Sequence, residues 1–317
     1  MKRRYTIGSR GSQLALWQTN FVKTELEKRF LQAEFEIRII KTTGDAILDT
    51  ALSKIGDKGL FTGQIETALL NNEIDLAVHS LKDLPTTQPA NLKIGAVSSR
   101  EMPNDVFISK NFQSIADLPK NAKVATGSLR RRSQLLNFRS DLKIVEIRGN
   151  VPTRIEKFLA SDLDAMILAF AGVHRLNLDS HIKQIVPTEI LLPAVGQGVM
   201  AVEIRENDLE ISEMLVEIND KRVESCVAAE RAFLRSLEGG CQVPIGGLAV
   251  LETGEILLKG FVGNLKGEKV IRQTVSGKQT DAEILGGNLA EICLQYGAAE
   301  ILMEARNAAQ ASAGEVL

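Results

Sequence analysis

The chain has 317 residues, 44% of them hydrophobic and 25% charged, which suits a globular protein of two or three domains at ~150 residues each. A net charge of −2 and a pI near 6.1 give no global attraction for nucleic acid or an anionic membrane, so any anion site must come from local arginine clusters. Three cysteines and three histidines are scattered without a CxxC, which excludes a disulfide framework and a His-rich metal centre.

The predicted elements begin with a strand at Arg4–Ser9 and a helix at Ser12–Phe30, with Ser12 as N-cap and Leu16, Phe21, Leu26 and Phe30 roughly on one face. The basic Met1-Lys2-Arg3-Arg4 is not followed by an apolar signal core. No later apolar run approaches the ~20 residues of a membrane span, so a cytoplasmic protein is expected. A strand at Phe35–Lys41, a helix at Thr62–Leu70 and strands at Ile74–Val78 and Leu92–Val97 follow. This alternation implies a mostly parallel sheet with helices on both faces. After the polar stretch Ser98–Asp105 the pattern restarts, with strand Lys123–Thr126, helix Ser128–Asn137, strand Leu142–Ile147, helix Pro152–Leu159 and strand Ala165–Ala169. Two similar α/β units suggest two lobes around a cleft. Leu192–Gly198 reads as a second crossing, and Val199–Ile204 as a strand returning to the first lobe. From about Asn219 the grammar changes to a helix at Glu224–Leu237, strands at Gly247–Leu251, Glu255–Val262 and Lys269–Ser276, and one helix from Asp281 to about Ala309. That order describes a small α+β domain. The expected domains are 1–98 with 199–217, then 104–193, then 220–317.

Four basic groups follow strand carboxyl ends, where open α/β sheets bind ligands: Arg10, Arg130-Arg131-Arg132, Arg148 with Arg154, and Arg175. Thr126-Gly127-Ser128 opens the second group at a helix N-terminus, a natural anion site, and guanidinium forks suit carboxylates. The inferred ligand carries several negative charges. His79-Ser80-Leu81-Lys82-Asp83-Leu84-Pro85 delivers a hydroxyl, an ammonium and a carboxylate into a turn. Asp83 among those arginines is expected to stay ionised and to balance positive charge developing on a substrate. His79 reads as a structural, hydrogen-bonded histidine. Cys241 lies in Glu238-Gly239-Gly240-Cys241-Gln242-Val243-Pro244-Ile245-Gly246-Gly247, where the glycines leave room for a bulky group near the backbone. Local sequence leaves open whether that thiol is a functional group or a small buried hydrophobe.

Together these blocks resemble the porphobilinogen deaminase (hydroxymethylbilane synthase) family. The resemblance runs from Ile7 to about Gly247, through Gly8-Ser9-Arg10-Gly11-Ser12-Gln13-Leu14-Ala15, Gly56-Asp57-Lys58-Gly59-Leu60-Phe61-Thr62, Ala77 to Thr86, Gly127 to Arg131, Arg148-Gly149-Asn150, Leu192 to Gly198 and the Cys241 loop. It implies two periplasmic-binding-protein-like α/β lobes around a cleft plus a small C-terminal α+β domain bearing Cys241. It implies a transferase of haem biosynthesis that condenses four porphobilinogen molecules, each with an acetate and a propionate, into hydroxymethylbilane and releases ammonia at each step. Cys241 would carry a dipyrromethane cofactor through a thioether, with Lys82, Ser128, Arg130 and Arg131 holding it. Asp83 would be the catalytic carboxylate, and Arg10, Ser12, Arg148, Arg154 and Arg175 would bind the incoming substrate and the lengthening chain. No metal, nucleic acid or membrane is implied, and a cytoplasmic monomer is. Gly63-Gln64, Glu101 to Asn104, Phe170 and Val173-His174 depart from the family's usual residues without touching any functional position named. A solute receptor would also use two lobes and an anion cleft, but has no need of a Gly-flanked cysteine. A generic thiol acyl-transferase would need a histidine partner, and none is placed as one.

Overall fold

The computed structural model describes residues 3–46, 61–237 and 243–314. Its first half holds β1 (Arg3–Ser9), α1 (Gln13–Arg29), β2 (Ala33–Ile39), α2 (Thr43–Ala46), α3 (Gly63–Leu70), β3 (Leu76–Ser80), a 3₁₀ turn at Leu81–Asp83 and β4 (Leu92–Val97). Then come β5 (Asp105–Ser109), β6 (Lys123–Ala125), α4 (Leu129–Phe138), β7 (Lys143–Val145), α5 (Val151–Leu159), β8 (Ala165–Ala169), α6 (Phe170–His174) and β9 (Ile182–Ile185). The rest is β10 (Met200–Arg205), α7 (Leu209–Val216), α8 (Lys221–Ser236), β11 (Ile245–Glu252), β12 (Glu255–Gly263), β13 (Val270–Lys278), α9 (Ala282–Gln295) and α10 (Ala298–Gly314).

Two five-stranded sheets repeat one plan, in the orders β2-β1-β3-β10-β4 and β7-β6-β8-β5-β9. In each, four strands point the same way and one, fourth in the order, lies antiparallel between the third and the edge strand. The sheets are therefore mostly parallel, as expected, with one reversed strand in each. The fourth strand of each is delivered by a crossing from the other sheet: β4 leads into β5, and β9 into β10. The returning strand expected at Val199–Ile204 is β10, and it joins the first sheet. β5 and β9 were not expected; the first begins at the edge of a stretch read as polar linker.

Both crossings enter at the ligand rim. Met200 pairs with Ser80 at the carboxyl end of β3, and Asp105 pairs with Ala169 at the carboxyl end of β8. The two segments also bind each other, through Ser98 N to Met200 O at 3.0 Å and Glu101 N to Gly198 O at 3.1 Å. Gly198 has φ +88°, and a Cβ there would stand 2.3 Å from the Glu101 carbonyl oxygen, so only glycine fits.

The helix over Ser12–Phe30 forms as expected, capped by Ser12 Oγ accepting from Ala15 N at 3.3 Å. Its buried stripe is Ala15, Thr19, Val22 and Leu26. Phe21 turns outward instead and stacks on Trp17, ring centroids 5.7 Å apart. In the C-terminal unit, the three-stranded β11-β12-β13 sheet packs on α8 and α9 around Phe233, Leu258, Val262 and Leu289. The single long helix expected there is two, because Gly297 adopts φ +92° between α9 and α10, a left-handed value that ends a helix.

Candidate active site

The carboxyl ends of β1 and β3 lie side by side, and the turns that leave them carry Arg10 and Lys82-Asp83. One pocket there is lined by Arg10, Ser12, Gln18, Phe61, His79 and Asp83. The Arg10 guanidinium stacks over the Phe61 ring at 4.2 Å. Gln18 and Ser80 share a hydrogen bond at 2.9 Å that ties α1 to the end of β3. Asp83 itself is exposed toward the cleft.

Across the cleft, α4 opens at Ser128, whose Oγ accepts from Arg131 N. The helix sends its three arginines to three places, as their angular spacing requires. Arg130 Nη2 donates to Asp105 Oδ2 at 2.8 Å and its Nη1 to the Leu192 carbonyl at 2.6 Å. Arg131 grips Asp105 Oδ1 through Nε at 3.1 Å and Nη2 at 2.8 Å. Arg132 points away, to the Leu265 carbonyl between β12 and β13. Gln197 Nε2 adds a third donor group to Asp105 Oδ1 at 3.0 Å. Burial alone would raise this carboxyl, but Arg130 and Arg131 outweigh it and hold it down at about 2.

The two walls feel each other. Burial pushes the Lys82 ammonium down to about 8, with Asp83 opposing and Arg131 assisting. Burial also lowers Arg154 to about 10, helped by Arg131 and opposed by Asp83. Lys82, Arg130, Arg131 and Arg154 thus face Asp83 and Asp105, an excess of positive charge in a poorly solvated place. Arg154 Nε is buried without a hydrogen-bond partner among the described residues. Buried donors are normally met, so an unmet guanidinium inside a cationic wall fits a carboxylated ligand.

The other two expected arginines are placed differently. Arg148 binds Glu146 Oε1 through Nη2 at 2.9 Å, on the rim beside the Gly127 turn. Arg175 is buried, donates to the Gly198 carbonyl at 2.8 Å and lies 5.4 Å from the Trp17 ring, so it spans the crossing and α1 of the opposite lobe. Sequence reasoning missed Asp105, Gln18 and Gln197. A lone carboxylate heading the apolar run Asp105-Val106-Phe107-Ile108 was the available sign that some cation must meet it.

Cys241 lies outside the described residues. The other two cysteines are core residues: Cys226 and Cys293 are buried around Phe233 and Leu289, and burial pushes the Cys293 thiol up to about 11. The described chain on the far side of the Cys241 loop is fixed at the cleft, where Gly247 N donates to Pro193 O at 3.0 Å, next to the Leu192 carbonyl that Arg130 holds.

Residues 5–213 match the model described as Porphobilinogen deaminase, dipyromethane cofactor binding domain, and residues 224–295 match the C-terminal domain of the same enzyme. The chain belongs to the porphobilinogen deaminase family. A porphobilinogen deaminase from Chlorobium phaeobacteroides is 50% identical over 310 residues, covering 96% of this chain and 99% of that one. One from Chloroherpeton thalassium is 49% identical over the same shares of each chain. Among solved structures, the aliphatic sulphonate binding protein SsuA from Escherichia coli aligns with a TM-score of 0.41 and 17% identity, over 75% of this chain and 71% of that one. The architecture is that of two α/β lobes, each built on a five-stranded sheet, with a small C-terminal sheet and helices. Among the described residues no helix is long and apolar enough to cross a membrane.

Proposed function

We propose that this protein deaminates porphobilinogen and condenses four molecules of it head to tail into hydroxymethylbilane, releasing ammonia, in haem biosynthesis. One observation carries the reading: an exposed carboxylate, Asp83, opposite a wall with more buried cations than anions among the described residues. That arrangement holds carboxylated pyrroles by their acetates and propionates while Asp83 balances positive charge created at the ring. The dipyrromethane, attached to Cys241, supplies the acceptor ring from which the product grows. Lys82, Ser128, Arg130 and Arg131 hold it, with Asp105 fixing the two arginines. Arg10, Ser12, Arg148, Arg154 and Arg175 take the incoming substrate and the lengthening chain. Arg10 keeps its plane by stacking on Phe61, so its fork reaches a carboxylate with little loss of freedom. The proposed domains are 1–98 with 199–217, 104–193 and 220–317, and the enzyme works as a cytoplasmic monomer without a nucleic-acid or membrane partner.

Asp83→Asn removes the charge and keeps the shape. Product formation from porphobilinogen is expected to fall by about 100-fold or more, the usual scale for losing one electrostatic stabiliser. Turnover near that of the unaltered protein, with the fold intact, removes Asp83 from this role.

A further inference from the structure

Beneath the Asp83 pocket lies a buried ionisable group with no task so far. His79 and Glu203 stand on adjacent antiparallel strands, β3 and β10, where Ala201 faces His79 and Ala77 faces Glu203. The two side chains therefore share one face of the sheet on a diagonal. His79 Nε2 is 3.2 Å from Glu203 Oε2 but out of line for a hydrogen bond. Glu66 joins them from α3; burial raises its carboxyl, a hydrogen bond from Thr62 opposes that, and Glu203 adds to it. Glu66 Oε1, His79 Nε2 and both Glu203 oxygens are buried without an in-line hydrogen bond among the described residues, with Thr62 bonded to the Glu66 carboxyl and His79 set against Glu203. Buried polar atoms are normally met, so their concentration at one spot calls for a reason. The histidine expected to be structural is buried against Glu203, with Nε2 out of line for a hydrogen bond. His79 also lines the pocket that contains Asp83 and Arg10.

The condensation chemistry, if the reading above holds, creates a proton to be stored. Breaking the substrate's carbon–nitrogen bond sends the electron pair out with nitrogen as ammonia and leaves a methylene cation on the ring. Attack by an unsubstituted ring carbon forms the carbon–carbon bond. That carbon then gives up its proton, and the C–H pair returns to the ring. Ammonia and the proton finally leave together as ammonium. We infer that His79, backed by the buried carboxylates Glu203 and Glu66, receives this proton from the Asp83 pocket at each cycle and holds it until release. Among the described residues, the charged groups around His79 are Glu203 from β10, Glu66 from α3, Asp83 from the turn after β3 and Arg10 from the turn after β1. Glu203 and Glu66 are positioning residues: they set negative charge beside the ring and stay out of reach of solvent.

The test is the pH dependence of product formation, with an NMR titration of the His79 imidazole, assigned by its loss in His79→Gln. Glu203→Gln keeps the shape and removes the negative charge 3.2 Å from the ring. It should move both the acid limb of the rate profile and the imidazole midpoint down by about one pH unit. His79→Gln should lower the rate about 100-fold, the low end for a proton-transfer group. If the native protein forms product but Glu203→Gln moves neither limb nor midpoint, the relay is wrong and the reading of the site survives. If the native protein does not consume porphobilinogen, both fall. Should Glu203→Gln fail to fold, the native imidazole decides: no titration between about pH 5 and 9 overturns the inference.

Discussion

Replacing Asp105 with asparagine should unsettle the cleft wall more than any other single isosteric change there. The carboxylate is fully buried and accepts from Arg130, from Arg131 twice and from Gln197. Its depressed carboxyl, about 2 against 3.8, corresponds to about 2 kcal/mol favouring the ionised folded state. Removing the charge outright strands two buried guanidiniums, for which about 3–5 kcal/mol is usual. The amide also turns an NH₂ toward donors. At ~2–4 °C per kcal/mol, the melting temperature at neutral pH should fall by about 10 °C. The assay is thermal unfolding followed by the fluorescence of the single tryptophan, Trp17, at a series of pH values. Because the folded value lies below the unfolded one, the native advantage is complete above about pH 4 and is lost as pH falls toward about 2. The gap between native and variant should close over that same window. A variant melting within about 2 °C of the native protein at neutral pH, or a gap unchanged at low pH, refutes the reasoning.

Other outcomes follow from the same geometry. Lys82, lowered to about 8, is charged below that pH and neutral above it, so KM for a carboxylated substrate should rise as pH climbs through about 8. Lys82→Arg should move that limb to higher pH; an unmoved limb assigns it to another group. Gly198→Ala forces a Cβ to 2.3 Å from the Glu101 carbonyl at a positive φ, and should cost about 1–3 kcal/mol in chemical denaturation. Glu230, buried on α8, accepts from Arg100 at 2.7 Å, Gly196 N at 2.7 Å and Ala249 N at 2.8 Å. Glu230→Gln should therefore loosen the crossing and the third domain together, lowering the melting temperature by a comparable ~10 °C.

Much of this was written locally in the sequence. Glycine turns, N-caps and arginines after strand ends are read from a few consecutive residues, and Ser12, Ser128 and Arg130-Arg131 sit where those rules put them. The direction and partner of a strand are not local properties, so the antiparallel β5 and β10 and the mixing of each sheet were invisible. The role of Asp105 hid for the same reason: it meets Arg130 only because β5 runs backward beside β8. The burial of Arg175 at the crossing, over the Trp17 ring, depends on the opposite lobe's arrival. The break at Gly297 was a local signal overlooked inside a long apolar periodicity.

Cys226 and Cys293 are core residues, and the chain that follows Cys241 is fixed at the cleft, so Cys241 is the thiol left to carry the cofactor. Intact mass spectrometry of the freshly purified protein tests it directly. The expected mass is that of the polypeptide plus one dipyrromethane, with the added mass mapping to Cys241 and absent in Cys241→Ser. Active protein at the bare polypeptide mass, or an adduct that survives Cys241→Ser, contradicts the account.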